Sequence, residues 1–303
     1  MRIACIGECM IELSDAADGM ARGYGGDTLN TAVYASRLGR SHDVSVDYFT
    51  ALGDDPYSDE MIAGWRREGI GVEHVRRLPG RVPGLYMSKT GQAGERSFFY
   101  WRDQAPAKSL FDGPAGQALV NTIAGYDWIY FSGITLGILN VEGRLAFLET
   151  LRRASQNGST VVYDSNYRPR LWGDVEEAVA VNEAALGWTD IALPSFDDER
   201  LLYGDADPKT TAARIACTGI PEIVVKSGAK DILLQVGGNL VCIPALQHPA
   251  PVDTTAAGDS FNAAYIISRA LGKSPEDAVG AGNAVAYEVI GVRGALLPLE
   301  SKA

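Results

Sequence analysis

Residues Asp253 to Phe261 read Asp-Thr-Thr-Ala-Ala-Gly-Asp-Ser-Phe, a turn of small polar residues that runs straight into an apolar stretch ending at Leu271. Thr254 and Thr255 are suited to cap the incipient helix, Ala256, Ala257 and Gly258 leave its first amides uncovered, and Asp259 stands in the first turn facing the same opening. Uncapped N–H groups and the positive end of a helix dipole together favour a phosphate there. A carboxylate beside bound phosphate is well placed to take a proton from an attacking hydroxyl. An ordinary capped helix with an acidic first turn has the same local pattern, so the rest of the chain decides between the two.

A second constellation is Gly25-Gly26-Asp27-Thr28-Leu29-Asn30, where paired glycines let backbone and ligand approach closely and Asn30 could hydrogen-bond a polyhydroxylated ligand. A plain glycine turn before a helix fits as well. A third is Asp164-Ser165-Asn166-Tyr167-Arg168, two acceptors and a guanidinium just after an apolar run, with Arg102 ending an aromatic one. Two arginines reaching one cleft suit a carboxylate through forked, charge-assisted hydrogen bonds, whereas each alone reads as a surface or structural ion pair.

These residues need elements to position them. Residues 2–7 read as a buried strand, 7–23 as a small hairpin, and Asn30, Ala32, Val33, Ala35 and Leu38 fall at helical spacing up to Gly39. Val44, Val46 and Tyr48 alternate as a strand, Ser58 to Glu68 is helical, and Gly84 to Lys89 with Arg96 to Arg102 make a hairpin around a 91–95 turn. From Trp128 onward short apolar strands alternate with helices: strand to Phe131, helix Val141 to Asn157, strand Thr160 to Tyr163, helix Val175 to Leu186, strand Ile191 to Leu193, helix Pro208 to Cys217. Strand Ile223 to Lys226, an antiparallel pair (232–236 and 240–243) and helices from Ala257 and Pro275 close the chain. The alternation predicts an α/β fold with a mostly parallel sheet sandwiched between helices. Ligands in such sheets bind beyond the C-terminal strand ends, where Ser132-Gly133, Asp164 to Arg168, Pro194-Ser195 and Lys226-Ser227-Gly228 stand.

Composition narrows the function classes. With 38 acidic against 27 basic residues and a net charge of −11, nucleic acid and anionic membrane are poor partners, while a few arginines in a cleft still suit an anionic small molecule. Cys5, Cys9, Cys217 and Cys242 form no C-x-x-C pair, and His42, His74 and His248 are far apart, which argues against zinc. Cys5 and Cys242 lie in apolar runs where reduced cysteine serves as a small core residue, and no apolar run reaches membrane-span length. A cytoplasmic protein is expected. P-loop, dinucleotide, protein-kinase and nucleophile-elbow signatures are absent from the sequence.

Taken together, Asp253-Thr-Thr-Ala-Ala-Gly-Asp259 resembles the D-T-x-G-A-G-D signature of the ribokinase-like carbohydrate kinases, the phosphofructokinase-B (pfkB) family, and Gly25 to Asn30 is similar to their N-terminal glycine motif. The resemblance runs through the whole chain. Within the family, the segments Gly25 to Thr31, Gly84-Leu85-Tyr86, Phe99 to Arg102 and Asp164 to Trp172 are similar to a branch that phosphorylates the 6-hydroxyl of a six-carbon keto-deoxy sugar acid with Mg-ATP. The resemblance implies one ribokinase-like domain over residues 1–303, with a small β-sheet lid from about 10–24 and 84–103.

It further implies that Asp259 is the general base and that amides of Ala256, Ala257 and Gly258 hold the transferring phosphoryl group. Gly25, Gly26, Asn30, Tyr86, Tyr100, Arg102, Asp164 and Arg168 would hold the sugar acid, and Lys226, Ser227, Gly228 and Asn283 would line the ATP site, with Mg2+ as cofactor. Two departures stand out. Ala256 replaces the usual first glycine and so resists a positive φ, and the N-x-x-E element linked to Mg2+ reads Ser195-Phe-Asp-Asp198, which counts against Asp198 as a metal ligand. The aromatic strand 96–102 suits a lid, a dimer surface or both, so a homo-oligomer through the lid is expected. Competing readings are a kinase for a neutral sugar such as fructose or ribose, a sugar-acid sensor without chemistry, and a dimerisation module built on the hairpin.

Overall fold

The computed structural model describes residues 1–16, 19–90 and 96–298. The first half of the chain holds β1 (Arg2–Ile6), β2 (Met10–Ala16), β3 (Gly19–Gly25), α1 (Asp27–Gly39), β4 (Ser45–Phe49), β5 (Ala51–Leu52) and α2 (Pro56–Arg67). Then come β6 (Arg76–Arg77), β7 (Leu85–Thr90), β8 (Arg96–Trp101), α3 (Gly113–Ile123), β9 (Trp128–Ser132), α4 (Gly133–Ile138) and α5 (Val141–Gln156). The second half holds β10 (Thr160–Asp164), α6 (Val175–Leu186), β11 (Ile191–Ala192), α7 (Phe196–Tyr203), α8 (Pro208–Ala216) and β12 (Glu222–Val225). It closes with β13 (Ile232–Val236), β14 (Asn239–Ile243), α9 (Ala257–Ala270) and α10 (Pro275–Ile290).

The main sheet has the order β14-β13-β12-β11-β10-β9-β1-β4. It is parallel from β4 to β12, and the last two pairings are antiparallel. Strand β9 shows why both faces are covered. Ile129 and Phe131 enter the core with Phe147 and Tyr163, and Tyr130 enters the opposite core with Tyr48 and Tyr265. A strand apolar on both faces has no side to give to water, so helices cover each. Because β1, β9, β10, β11 and β12 run in parallel, their C-terminal ends lie along one edge, where Glu8, Ser132, Asp164, Pro194 and Lys226 emerge.

A second sheet, of order β3-β2-β7-β8, joins the two early hairpins through a parallel β2–β7 pairing, and Tyr86 faces Tyr100 across β7 and β8. The expected turn at 91–95 and the 17–18 part of the first hairpin lie outside the described residues. Among those described, no helix is long and apolar enough to cross a membrane.

Three helices, α3, α4 and α7, are absent from the sequence expectation. Two glycines and a proline at the start of α3 read as a turn, but proline fits the first helical turn, and burial of Leu119, Val120 and Ile123 supplies what propensity does not. Helix α2 starts at Pro56, two residues earlier than expected, because Asp55 caps it through the amides of Tyr57 and Ser58. Cys242 also departs from expectation: β14 is the edge strand, and its thiol is exposed rather than packed in the core.

One ion pair, with its carboxylate buried and its arginine partly exposed, ties α9 to the sheet. Arg269 grips Glu222 of β12 with Nη2 at 2.8 Å and Nε at 2.9 Å, and Tyr265 Oη donates to the same carboxylate at 2.7 Å. Arg269→Ala leaves that carboxylate buried without its cation, and the expected loss is about 3 kcal/mol. Urea unfolding of the purified variant measures it, and an unchanged midpoint would remove this anchor.

Candidate active site

The mouth of α9 differs from its sequence reading in two ways. Thr254 and Thr255 do not cap it: the N-cap is Ala256, with no side-chain cap. Thr255 instead turns to Asp253, whose Oδ1 accepts from the Thr255 hydroxyl at 2.6 Å and its amide at 3.0 Å, while Oδ2 accepts from Gly294 N at 3.0 Å. Ala256 then does what its methyl group was expected to resist. Its φ is +61° and ψ +12°, the left-handed region, at a cost of about 1–2 kcal/mol for a residue with a Cβ. The surrounding bonds over-determine it. Ala257 N donates to Thr254 O at 3.3 Å, closing a turn with Ala256 third, and Ser260 N donates to Ala256 O at 2.9 Å to start the helix. The Ala257 amide is therefore engaged, contrary to expectation, whereas the amides of Ala256, Gly258 and Asp259 have no protein acceptor among the described residues.

Asp259 sits half-buried in that first turn. Its Oδ2 accepts from Asn30 Nδ2 at 2.8 Å, and Thr31 Oγ1 donates to its carbonyl at 3.2 Å, so α1 and α9 fix it from two sides. The glycine motif places α1 for this. A Cβ on Gly25 would lie 2.2 Å from the Tyr86 hydroxyl, and one on Gly26 2.1 Å from Glu8 O. Loss of water holds the Asp259 carboxyl well above the ordinary range, Asp27 and Asp164 add repulsion, and Asn30 and Lys226 oppose it. Asp27 is itself held by Asn166, whose Nδ2 donates to Oδ2 at 2.6 Å.

Behind Asp259 lies a buried polar network. Lys226 Nζ donates to Asp164 Oδ2 at 2.9 Å and to Asn262 Oδ1 at 2.8 Å, and Asn262 Nδ2 donates to Asp164 Oδ2 at 2.7 Å and Tyr130 Oη at 3.1 Å. Asp164 is thus turned inward, not toward a sugar as its sequence position suggested. Lys226 is brought to the helix mouth: a Cβ on Gly258 would lie 3.7 Å from Nζ. Ser227 Oγ is buried without a partner among the described residues, Gly228 is left-handed, and Asn283 donates to Pro244 O at 3.1 Å, joining α10 to the loop before α9.

Both arginines expected to hold the sugar acid already have a carboxylate. Arg102, one residue past β8, pairs with the buried Glu8, and Arg168 Nη1 donates to Asp198 Oδ1 at 3.1 Å and to Tyr167 O at 2.8 Å. Burial pushes Asp198 up to about 6, with Arg168 opposing. The Tyr86 and Tyr100 rings lie 5.9 Å apart between centres, tilted by 36°, on the second sheet. Four partners were missed in the sequence: Glu8, Asp27, Asn166 and Asn262. Asn262 left a signal, an amide three positions after Asp259 within the apolar stretch of α9.

Among the described residues no group of three or more His, Cys, Asp or Glu could cage a metal. A magnesium ion carried by a nucleotide needs less, since it takes one or two carboxylates plus substrate phosphates and water. Free amides with a lysine beside them fit a phosphate.

The pfkB family carbohydrate kinases match residues 1–302 of this chain. A 2-dehydro-3-deoxygluconokinase of Dickeya dadantii (strain 3937) is 44% identical over 302 residues, covering 99% of this chain and 97% of the relative. One from Escherichia coli (strain K12) is 43% identical over 303 residues, covering 99% and 98%. The crystal structure of aminoimidazole riboside kinase from Salmonella enterica, complexed with aminoimidazole riboside and an ATP analogue, superposes with a TM-score of 0.82. It is 23% identical and covers 97% of this chain and 95% of its own, a likeness of fold.

The raised Asp259 carboxyl makes a stability prediction. The folded state binds its proton more tightly than the unfolded chain, so its contribution is full below the ordinary carboxylate pKa and is lost as pH rises through the raised folded value. Asp259→Asn, which never ionises, is expected to match the parent protein in acid and to exceed it increasingly toward alkaline pH. Thermal midpoints of both proteins across pH measure this, and a constant gap would mean that the carboxyl is not perturbed.

Proposed function

We propose, from the premise that this chain belongs to the pfkB family of carbohydrate kinases, that it transfers the γ-phosphate of ATP to the 6-hydroxyl of 2-keto-3-deoxygluconate. The activity is that of a 2-dehydro-3-deoxygluconokinase, as in relatives 43–44% identical over essentially their full length. The observation that carries the chemistry is the mouth of α9: free amides, the Lys226 ammonium, and a half-buried carboxylate held by Asn30. A sensor that only binds has no use for such a base. Identity to the relatives decides between a sugar acid and a neutral sugar, because both arginines already satisfy protein carboxylates and their presence alone does not. Arg168 supports the acid in one respect: its Nε and Nη2 donate to no protein group among the described residues, leaving the edge that grips carboxylates bidentately.

Asp259 accepts the hydroxyl proton as the bond to phosphorus forms. Its desolvated, repelled carboxylate is a stronger base than a solvated aspartate. The amides of Ala256 and Gly258 stabilise charge on the transferred group, and Lys226 adds a fixed positive charge beside them. The Ala257 amide joins them when its long bond to Thr254 O is given up. Asn30, Tyr86, Tyr100, Arg102 and Arg168 orient the sugar acid, with Gly25 and Gly26 leaving room, and Ser227, Gly228 and Asn283 border the nucleotide. Mg2+ bound with ATP supplies charge neutralisation of its phosphates, and Asp198 would serve it only by leaving Arg168. ATP and free thiols accord with a cytoplasmic protein.

The exposed Phe99 and Trp101 alternate onto one face of β8, an edge strand of the lid, opposite to Tyr100, and a second copy of the chain covering that face accounts for them. Sedimentation as a single chain would count against that assembly. Two substitutions separate the site roles. Asp259→Asn is expected to lower turnover by about 10²–10⁴-fold with the fold intact, and Arg168→Ala to raise KM for the keto acid far more than KM for ATP. Near-normal turnover in the first sinks the base assignment, and equal effects on both KM values in the second remove Arg168 from the carboxylate site.

A further inference from the structure

Glu8 follows β1 by two residues, at the functional edge of the sheet, and is only 2% exposed. One of its oxygens, Oε2, takes Nη2 of Arg102; the other, Oε1, is buried with no partner among the described residues. Arg102 has the matching gap, for its Nε is also buried and unpartnered. A carboxylate taken out of water and left with an empty acceptor is a standing cost, which Arg102 and Lys108 offset only in part. Loss of water outweighs Arg102 and holds the Glu8 carboxyl above its ordinary range.

The surroundings point to what completes it. Glu8 O lies against Gly26, its Oε1 is 3.1 Å from where a Cβ on Gly84 would stand, and Arg102 packs 5.6 Å from the Tyr100 ring centre. Gly84 and Arg102 flank the ends of β7 and β8, and through these two residues Glu8, which is not itself in the lining, borders a cavity of about 270 Å³ that both line. That is room for a small polar molecule, not a single water, whose share of the liquid is about 30 Å³. An empty acceptor beside an empty donor matches a hydroxyl, which donates to one and accepts from the other.

We infer that Glu8 is a specificity-determining residue of the sugar-acid site, its Oε1 accepting a hydrogen bond from a hydroxyl of the acid while Oε2 holds Arg102; this rests on the function proposed above. Glu8 then reads a hydroxyl and Arg102 is kept in place for the same ligand.

Steady-state kinetics of the full chain with 2-keto-3-deoxygluconate and ATP test it. Glu8→Gln is expected to raise KM for the acid about 10- to 100-fold, as for one lost charge-assisted hydrogen bond, with KM for ATP moving less than about threefold. An unmoved KM for the acid, or one common factor on both, overturns the inference. Because Glu8→Gln leaves Arg102 without its counter-charge, the second arm compares Arg102→Met with the double variant Glu8→Gln/Arg102→Met, which buries no charge at this position and is expected to fold. A further several-fold rise in KM for the acid in the double variant supports the direct contact. Equal KM values there mean that Glu8 serves Arg102 alone, which also overturns the inference. Absence of turnover by the unmodified protein would fail the proposed function instead, so the two failures are distinguishable.

Discussion

The hydrogen bond from Asn30 to Asp259 is the contact on which the rest of the site depends. It joins the first turn of α1 to the first turn of α9, two segments 229 residues apart in sequence. Both helices start at the C-terminal edge of the parallel sheet, and both starts are bare of side-chain caps. A capped helix would have spent its first amides on its own chain. Two uncapped helix mouths joined by one side-chain bond leave an opening lined by free α9 amides, with Asp259 beside them.

Around that opening the chain gathers Glu8, Asp27, Asp164 and Asp259, a concentration of acid that needs compensation. Arg102 answers Glu8, Asn166 answers Asp27, and Lys226 with Asn262 answers Asp164. Asp259, like Asp27, has only a neutral amide as its side-chain donor, and it is the one most enclosed by the other acids. The neighbours' charges then act on it by repulsion, and water is partly excluded, so its affinity for a proton rises. Asp27 and Asp164, each held by other side chains, set the field that Asp259 feels. The division of labour follows from partner choice, since all four groups are chemically alike.

The fold was largely legible because parallel strands buried on both faces announce themselves as short apolar runs between helical periods. Helices α3 and α4 were not, since their glycines mask a stability that comes from burial. The geometry was legible where a motif carries it: the segment from Gly25 to Asn30 starts α1 and meets Asp259 of the second motif. It was illegible where tertiary partners decide. Nothing local shows that Asp164 turns inward to Lys226, that Thr255 serves Asp253 instead of the helix, or that Glu8 meets Arg102, 94 residues away. Ala256 is the sharpest case. Backbone preference alone argues against a left-handed alanine, yet about 1–2 kcal/mol is small beside a closed turn, an anchored Asp253 and a buried helix that all require that conformation.

The two arginines follow the same logic of arrangement before use. A guanidinium held free for an absent carboxylate would be desolvated without a counter-charge in the buried case and conformationally loose in the exposed one. Pairing Arg102 with Glu8 and Arg168 with Asp198 avoids both costs while leaving donors over: Nε of Arg102, and Nε with Nη2 of Arg168. Guanidinium has five N–H donors, so one carboxylate does not saturate it. Under the function proposed above, a ligand need not break the resting pairs: its carboxylate can add to the free edge of Arg168 and a hydroxyl to Nε of Arg102, on side chains whose rotamers are already fixed. Lysine, with a single flexible ammonium, could not keep a protein partner and offer a second flat edge at once, which is a physical reason for arginine at both positions.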